Sequence, residues 1–248
     1  MLRRIEQVIA DHEPQVNAWF DAVWRGHPVP FYTSNDIRNA GFKIAVIDSN
    51  LFPAGFNNLC DTVRESAAIV TRDYLRCYCG QPRSVLLLTE LQTRNLFYLE
   101  NVVALKGILE NSGVSVLAGT WNLPDERGYI DFTLPSGQLL RLHQICRQQN
   151  RLLACGQMVP DLIISNNDFS SGVPPVLDDL AQAIIPSPLL GWHQRLKSDH
   201  FHFYKSSVTE LAQILDLDPW LFYPITYLYQ QVDFQTGDNI EGLASQVD

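Results

Sequence analysis

Several stretches of the sequence carry residue types that capture small charged molecules. Asp48, Asn50, Asn57 and Asn58 surround an apolar Leu51-Phe52-Pro53 and Gly55, with Arg38 and Asn39 just upstream. Carboxamides, a carboxylate and aromatics at this density suit a loop whose polar groups face a small polar ligand. The same composition suits an Ω-loop whose Asn side chains satisfy their own backbone, and both readings stay open. Two further clusters are Glu90 with Thr93-Arg94-Asn95, and Asn166-Asn167-Asp168 ahead of Ser170-Ser171-Gly172. Trp192, His193, Arg195, Lys197, His200 and His202 then gather cations in an otherwise acidic chain. A basic cluster beside an indole suits a phosphate or a carboxylate, and a solvated helix face is the alternative.

Strands and helices must hold these clusters. Lys43 to Ile47 reads as a short buried strand that ends at Asp48, since Ile44, Val46 and Ile47 are β-branched. Val85 to Thr89 is a continuous apolar run of the kind covered on both faces in a parallel sheet. With a helix over Leu96–Asn111 and a strand over Val114–Ala118 it forms a β-α-β unit. Leu162 to Ser165 is a further strand, and Val176 to Ile184 reads as a helix. Three strand ends therefore carry polar clusters: Asp48 with Asn50, Glu90 with Arg94, and Asn166 with Asp168. Ligands in open α/β sheets sit beyond such ends, which predicts one shared cleft. Helix capping by Asp168 and Ser170 is the competing explanation.

Residues 1–24 predict an amphipathic helix broken near Pro14, and Cys60–Tyr78 predicts another helix. Residues 128–142 alternate around Pro135-Ser136-Gly137 and predict a β-hairpin insertion. A helix is expected over Val208–Leu215 and another over Asn239–Val247. The fold class that results is α/β, a mostly parallel sheet with helices on both faces. Composition divides the chain into a helical segment 1–33, an α/β portion 34–185, and a basic and aromatic helical portion 186–248.

The 248 residues are 46% hydrophobic and 18% charged, an ordinary globular balance. The net charge of −9 argues against a nucleic-acid partner. No apolar run long enough for a membrane span appears, and acidic residues interrupt the start too early for a signal peptide. Five cysteines are an odd count for a disulfide framework and suit a reduced, cytoplasmic protein. Neither standard glycine-rich phosphate loop is present, and no metal-ligand spacing stands out.

Asp36-Ile-Arg-Asn-Ala-Gly-Phe-Lys43, the stretch from Asp48 to Leu59, Thr93 to Asn101, Asn166-Asn-Asp168 with Ser171-Gly-Val-Pro-Pro175, and Gly191 to Phe201 form an ordered set. Asp218-Pro-Trp220 and Val232-Asp-Phe234 continue it. In these segments the chain resembles the less common proteobacterial type of glutamate–cysteine ligase, the first enzyme of glutathione synthesis. The resemblance implies a pre-ATP-grasp-like sheet, glutamate and cysteine as substrates, and ATP with Mg2+ as cofactors. In that reaction ATP phosphorylates the glutamate γ-carboxylate and the cysteine amine attacks the acyl phosphate.

On this basis Arg38, Arg94, Arg195 and Lys197 are candidates for substrate carboxylates or phosphates. Asn39, Asn50, Asn57, Asn58, Asn95, Asn101, Asn166 and Asn167 are candidates for hydrogen bonds to amino-acid ends. Asp48, Glu100 and Asp168 are candidates for an α-ammonium, and Trp192 and His200 complete the set. No catalytic residue and no metal ligand is assigned. Members of the family are considerably longer. The chain therefore reads as a truncated, substrate-side portion whose ATP and Mg2+ sites lie beyond it, and which does not turn over alone. A non-catalytic amino-acid or peptide module, and a subunit that needs a separate ATP-binding chain, are the alternatives, and a missing C-terminal part or a homo-oligomer is the expected protein partner.

Overall fold

The computed structural model describes residues 2–90, 95–121, 123, 127–156, 158–227, 232–237 and 239–245. The elements run α1 Leu2–Asp11, α2 Glu13–Trp24, β1 Ser34–Asn39, β2 Ile44–Asn50, α3 Asp61–Tyr78, β3 Ser84–Thr89, α4 Leu96–Asn111 and β4 Ser115–Thr120. They continue as β5 Tyr129–Thr133, β6 Leu139–Gln148, β7 Arg151–Ala154, β8 Leu162–Asn166, β9 Ala183–Ile185, α5 Lys197–Ile214 and α6 Ile240–Ala244. No described helix is long and apolar enough to cross a membrane. Two compact units result. One holds Pro28–Ser34 and Ser49–Arg195; the other holds Met1–His27, Asn35–Asp48 and Leu196–Asp248. Both units are discontinuous in sequence.

The unit that holds Met1–His27 is built on one apolar cluster. Ile5 and Val16 pack with Val208, Ala212, Leu215, Leu221 and Phe222, and Ile44 lies against them. The helix break falls at His12, and Pro14 sits in the first turn of α2, where its missing N–H costs nothing. β1 and β2 form a two-stranded sheet of their own. This corrects the expected buried strand at 43–47. β-Branched residues report a strand and leave its partner open. A short turn, with Gly41 at φ +81° and Ala40 N donating to Lys43 O at 2.9 Å, folds β2 back on its upstream neighbour. Phe42 stacks on Trp220 at 6.0 Å, and Lys43 Nζ lies 4.1 Å from the same ring. α5 begins at Lys197, well before the expected Val208, so Lys197, His200 and His202 lie in its first turns.

The continuous body of the other unit carries a seven-stranded sheet in the order β5-β6-β4-β3-β8-β9, with β7 on β6. β6-β4, β4-β3, β3-β8 and β8-β9 pair in parallel; β5 and β7 run antiparallel to β6. The β3-α4-β4 unit forms as expected. The hairpin at 128–142 also forms, but it is no insertion, since its second strand is itself a member of the sheet.

Alternate residues of each strand face opposite sides. Val85, Leu87, Leu162 and Ile164 pack under α3 and α4, against Leu75, Leu99, Val102, Leu105 and Leu109. Leu86, Leu88 and Ile163 pack on the other side with Phe52, Leu152, Ala154, Phe169 and Leu177. Both helices of this unit thus lie on one face, and β7 with irregular segments covers the other. The expectation of helices on both faces is corrected, because an apolar strand requires a dry cover and does not require it to be helical.

The same finding removes the expected helix at 176–184. Pro175–Leu177 is a single 3-10 turn, Asp179 has φ +48°, and the chain then enters β9. Gln182, buried, holds this path: its Oε1 accepts from Leu152 N at 2.6 Å and its Nε2 donates to Pro160 O at 2.9 Å.

Asp161 ties the starts of β3 and β8. Its Oδ2 accepts from Arg83 N at 2.8 Å, Ser84 N at 2.9 Å and Ser84 Oγ at 3.0 Å. The Arg83 and Ser84 amides hold its carboxyl below the ordinary 3.8. Asp161→Ala is expected to cost about 1 kcal/mol at neutral pH, the low end for an exposed charged acceptor. The contribution is complete above the ordinary value of 3.8 and is lost as pH falls through the lowered native value. Urea midpoints of both proteins at neutral pH and near pH ~3 test this; equal midpoints at neutral pH would refute it.

Candidate functional site

β4, β3 and β8 are neighbours and end together: Leu88 registers with Gly119, and Thr89 with Asn166. Their carboxyl ends form the edge where open parallel sheets place ligands. Thr89, Thr120, Ser165, Asn166 and Asn167 are all buried there. Buried polar groups require partners, and two tyrosines supply several. Tyr98 OH donates to Asn166 O at 2.7 Å and accepts from Glu90 N at 3.1 Å. Tyr32 OH donates to Ser165 O. Burial pushes both phenols above their ordinary range, so they remain protonated donors.

Asn101 on α4 and Asn166 on β8 form a clasp, and they are 1% and 3% exposed. Asn101 Nδ2 donates to Asn166 Oδ1 at 3.0 Å. Asn166 Nδ2 donates to Pro53 O at 2.8 Å, and Asn101 Oδ1 accepts from Phe56 N at 3.0 Å. These bonds pin the 53–56 backbone beside the strand ends. Phe52 adds an edge-on contact with Phe169 at 5.6 Å.

Asp168 organises the adjoining turn. Its N–H donates to Glu90 Oε1 at 3.4 Å, its Oδ1 accepts from Ser170 N at 2.9 Å, and its carbonyl accepts from Trp192 N at 2.9 Å. Gly191 makes the last bond feasible. A Cβ there would lie 2.7 Å from Asp168 O, 2.7 Å from Phe169 Cβ and 2.9 Å from His193 Nδ1. Arg195 N donates to Gly191 O at 3.0 Å, and its guanidinium lies 5.4 Å from the Trp192 ring. Glu90, Asp168, Trp192 and Arg195 are therefore carried by connected segments at one sheet edge. Two carboxylates and a guanidinium are the complement of an amino acid's ammonium and carboxylate.

Two of the three polar strand ends come together. The β3 and β8 ends, with Glu90 and Asn166–Asp168, are adjacent. Asp48 belongs to the hairpin of the other unit, 3.4 Å from Lys197 Nζ. Arg38 is exposed on β1, and Asn39 Oδ1 accepts from Gly41 N at 2.8 Å within the turn. His200 stacks on Tyr204 at 5.9 Å.

Several carboxamides bond within their own segments. Asn50 Oδ1 accepts from Phe52 N at 2.8 Å, Asn95 caps α4 through Tyr98 N at 3.1 Å, and Asn167 Oδ1 accepts from Phe169 N at 2.9 Å. The Asn57 carbonyl accepts from Arg64, and Asn58 is exposed. Glu100 reaches the β5-β6 turn, accepting from Ser136 N at 2.8 Å and Ser136 Oγ at 2.9 Å. Arg94 lies outside the described residues. Tyr32, Tyr98 and Gly191 were not among the sequence candidates. Tyr98 alone left a signal, as an aromatic in the first turn of the helix that follows β3.

A family model, GshA: Glutamate-cysteine ligase, matches residues 6–248. The chain is similar to a crystal structure from Methylobacillus flagellatus KT whose assignment as a gamma-glutamylcysteine synthetase is provisional. Identity is 38% and the TM-score 0.89, over 100% of this chain and 58% of that one. The chain thus spans less than two thirds of that relative's length. No curated protein matches.

Proposed function

The chain belongs to the glutamate–cysteine ligase family, and from that premise we propose that it forms the amino-acid-binding side of a ligase that makes γ-glutamylcysteine. The observation that carries this reading is the edge formed by β3 and β8. Glu90 and Asp168 would take the glutamate ammonium, and Arg195, backed by Trp192, its α-carboxylate. That leaves the γ-carboxylate to be oriented toward the cysteine amine. The buried clasp and the two tyrosines keep this edge rigid, which limits the reorganisation that binding must overcome. The pre-ATP-grasp likeness of the sheet and a cytoplasmic location belong to the same reading.

Mg2+ finds no ligand cluster in the described residues. Among them no group of three or more His, Cys, Asp or Glu could hold a metal ion. We therefore place Mg2+, and the ATP that would accompany it, in the part of the relative's length that this chain does not span.

Calorimetric titration with glutamate, then cysteine, each with and without Mg-ATP, tests the proposal. Glutamate heat that is unchanged by Mg-ATP is expected. Silence with both amino acids would overturn the amino-acid-binding role. Product formed by this chain with Mg-ATP would overturn the assignment of the nucleotide site.

A further inference from the structure

Away from the β3-β8 edge, a cavity of about 400 Å³ opens beside β5, β6 and the end of β7, lined by Tyr129, His143, Gln144, Cys146 and Cys155. Ile145 registers with Ala154, so Cys155 falls one residue past the paired strand and reaches His143. Ala154 and Met158 close the turn through reciprocal backbone bonds of 2.9 and 3.0 Å. Cys155 Sγ lies 2.9 Å from His143 Nδ1. A nucleophile within hydrogen-bond reach of a base is the arrangement that activates thiols.

The other cysteines differ. Cys146 lines the same cavity, yet its Sγ lies 3.9 Å from Leu153 O. Among the described residues, Cys155 is the one cysteine bonded to an imidazole, and its thiol is exposed.

We propose that Cys155 is a reactive thiol with His143 as its base, and that the cavity beside them admits a low-molecular-weight disulfide. His143 Nδ1 takes the Sγ proton as the Cys155 sulfur attacks one sulfur of the disulfide. The S–S bond of the small molecule breaks and a bond from Cys155 to one of its sulfurs forms. The other sulfur leaves with the electron pair and takes a proton. Cys155 is oxidised to a mixed disulfide and the departing sulfur is reduced to a thiol.

At rest the pair is a protonated thiol beside a neutral imidazole, so the geometry and not a preformed thiolate carries the role. Burial, then the Arg141 charge, lowers His143 below its ordinary value, with Asp131 opposing them. The imidazole is therefore neutral near neutral pH and able to accept a proton. Burial raises the Cys155 thiol, opposed by Arg141, so the sulfur keeps its proton until attack. Arg141 and Asp131 are bonded to each other at 2.7 Å across β5 and β6, and Arg127 lines the cavity.

The test uses the whole chain and substoichiometric 5,5′-dithiobis(2-nitrobenzoic acid) at neutral pH, followed by peptide mapping by mass spectrometry. Cys155 is expected to take most of the first equivalent. His143→Gln keeps a side chain able to accept a hydrogen bond but removes the base, and is expected to slow Cys155 modification by about tenfold or more. Cys77→Ser, on α3 and outside the cavity lining, is expected to leave the rate unchanged. If His143→Gln does not fold, the wild-type comparison still decides: Cys155 must outpace the other cysteines in the native chain and lose that lead in urea. A first equivalent that goes to another cysteine, or a folded His143→Gln protein with the wild-type rate, would overturn the proposal.

Discussion

Asn166→Ala is expected to lower the free energy of unfolding by about 3 kcal/mol, the sum of two orphaned buried groups at about 1–3 kcal/mol each. The substitution removes the acceptor of Asn101 Nδ2 and the donor to Pro53 O. Asn101 is 1% exposed, so water cannot take over. The loss should appear as a lower urea midpoint at unchanged slope. Asn101→Ala removes the same inter-side-chain bond and also strands Phe56 N. The double variant should therefore cost less than the sum of the singles, because the shared bond is counted twice. A single-variant cost below about 1 kcal/mol would mean that the clasp does not hold the 53–56 backbone.

Gly191→Ala is expected to reduce glutamate affinity by more than about tenfold, a loss of about 1.4 kcal/mol or more, at a stability cost of about 1–3 kcal/mol. Gly191 has φ −68°, a conformation any residue adopts, so backbone strain is not the cause. The cause is space: the new methyl would meet a carbonyl and a Cβ at 2.7 Å, and neither is a flexible chain end. The 191–195 segment must move off the end of β8, which breaks the Trp192 N–Asp168 O bond and carries Trp192 and Arg195 away from Asp168. Calorimetry on a variant shown to be folded by its thermal transition separates the two effects. Wild-type affinity in a folded variant would remove Trp192 and Arg195 from the binding edge.

The elements were legible where local chemistry decides them. Leu96–Asn111 is a helix with Asn95 as its cap, and Pro135-Ser136-Gly137 turns a hairpin, because cap and turn residues act on their own backbone. The apolar run at 85–89 signalled a strand covered on both sides. It could not signal what covers it, and 175–185 turned out to supply a 3-10 turn and an edge strand in place of a helix. The candidate site was legible as a list of polar clusters, though not as a geometry. Asn50, Asn95 and Asn167 share a residue type with Asn101 and Asn166. The first three bond within a few residues of themselves, while the last two bond across 45 to 113 positions.

By itself, then, the sequence determined the strands at 85–89, 114–118 and 162–165, the 128–142 hairpin, most helices, the family resemblance and the polar strand ends at Glu90 and Asn166–Asp168, all of which depend on neighbours along the chain. The tertiary structure decided that Lys43–Ile47 leaves the parallel sheet, that Asn101 meets Asn166, and that Gly191 must lack a side chain. It also decided that Cys155 meets His143. Each of these is a contact between segments far apart in the chain or a matter of strand partnership. Such contacts are set by sheet register and close packing, which no local pattern of residues encodes.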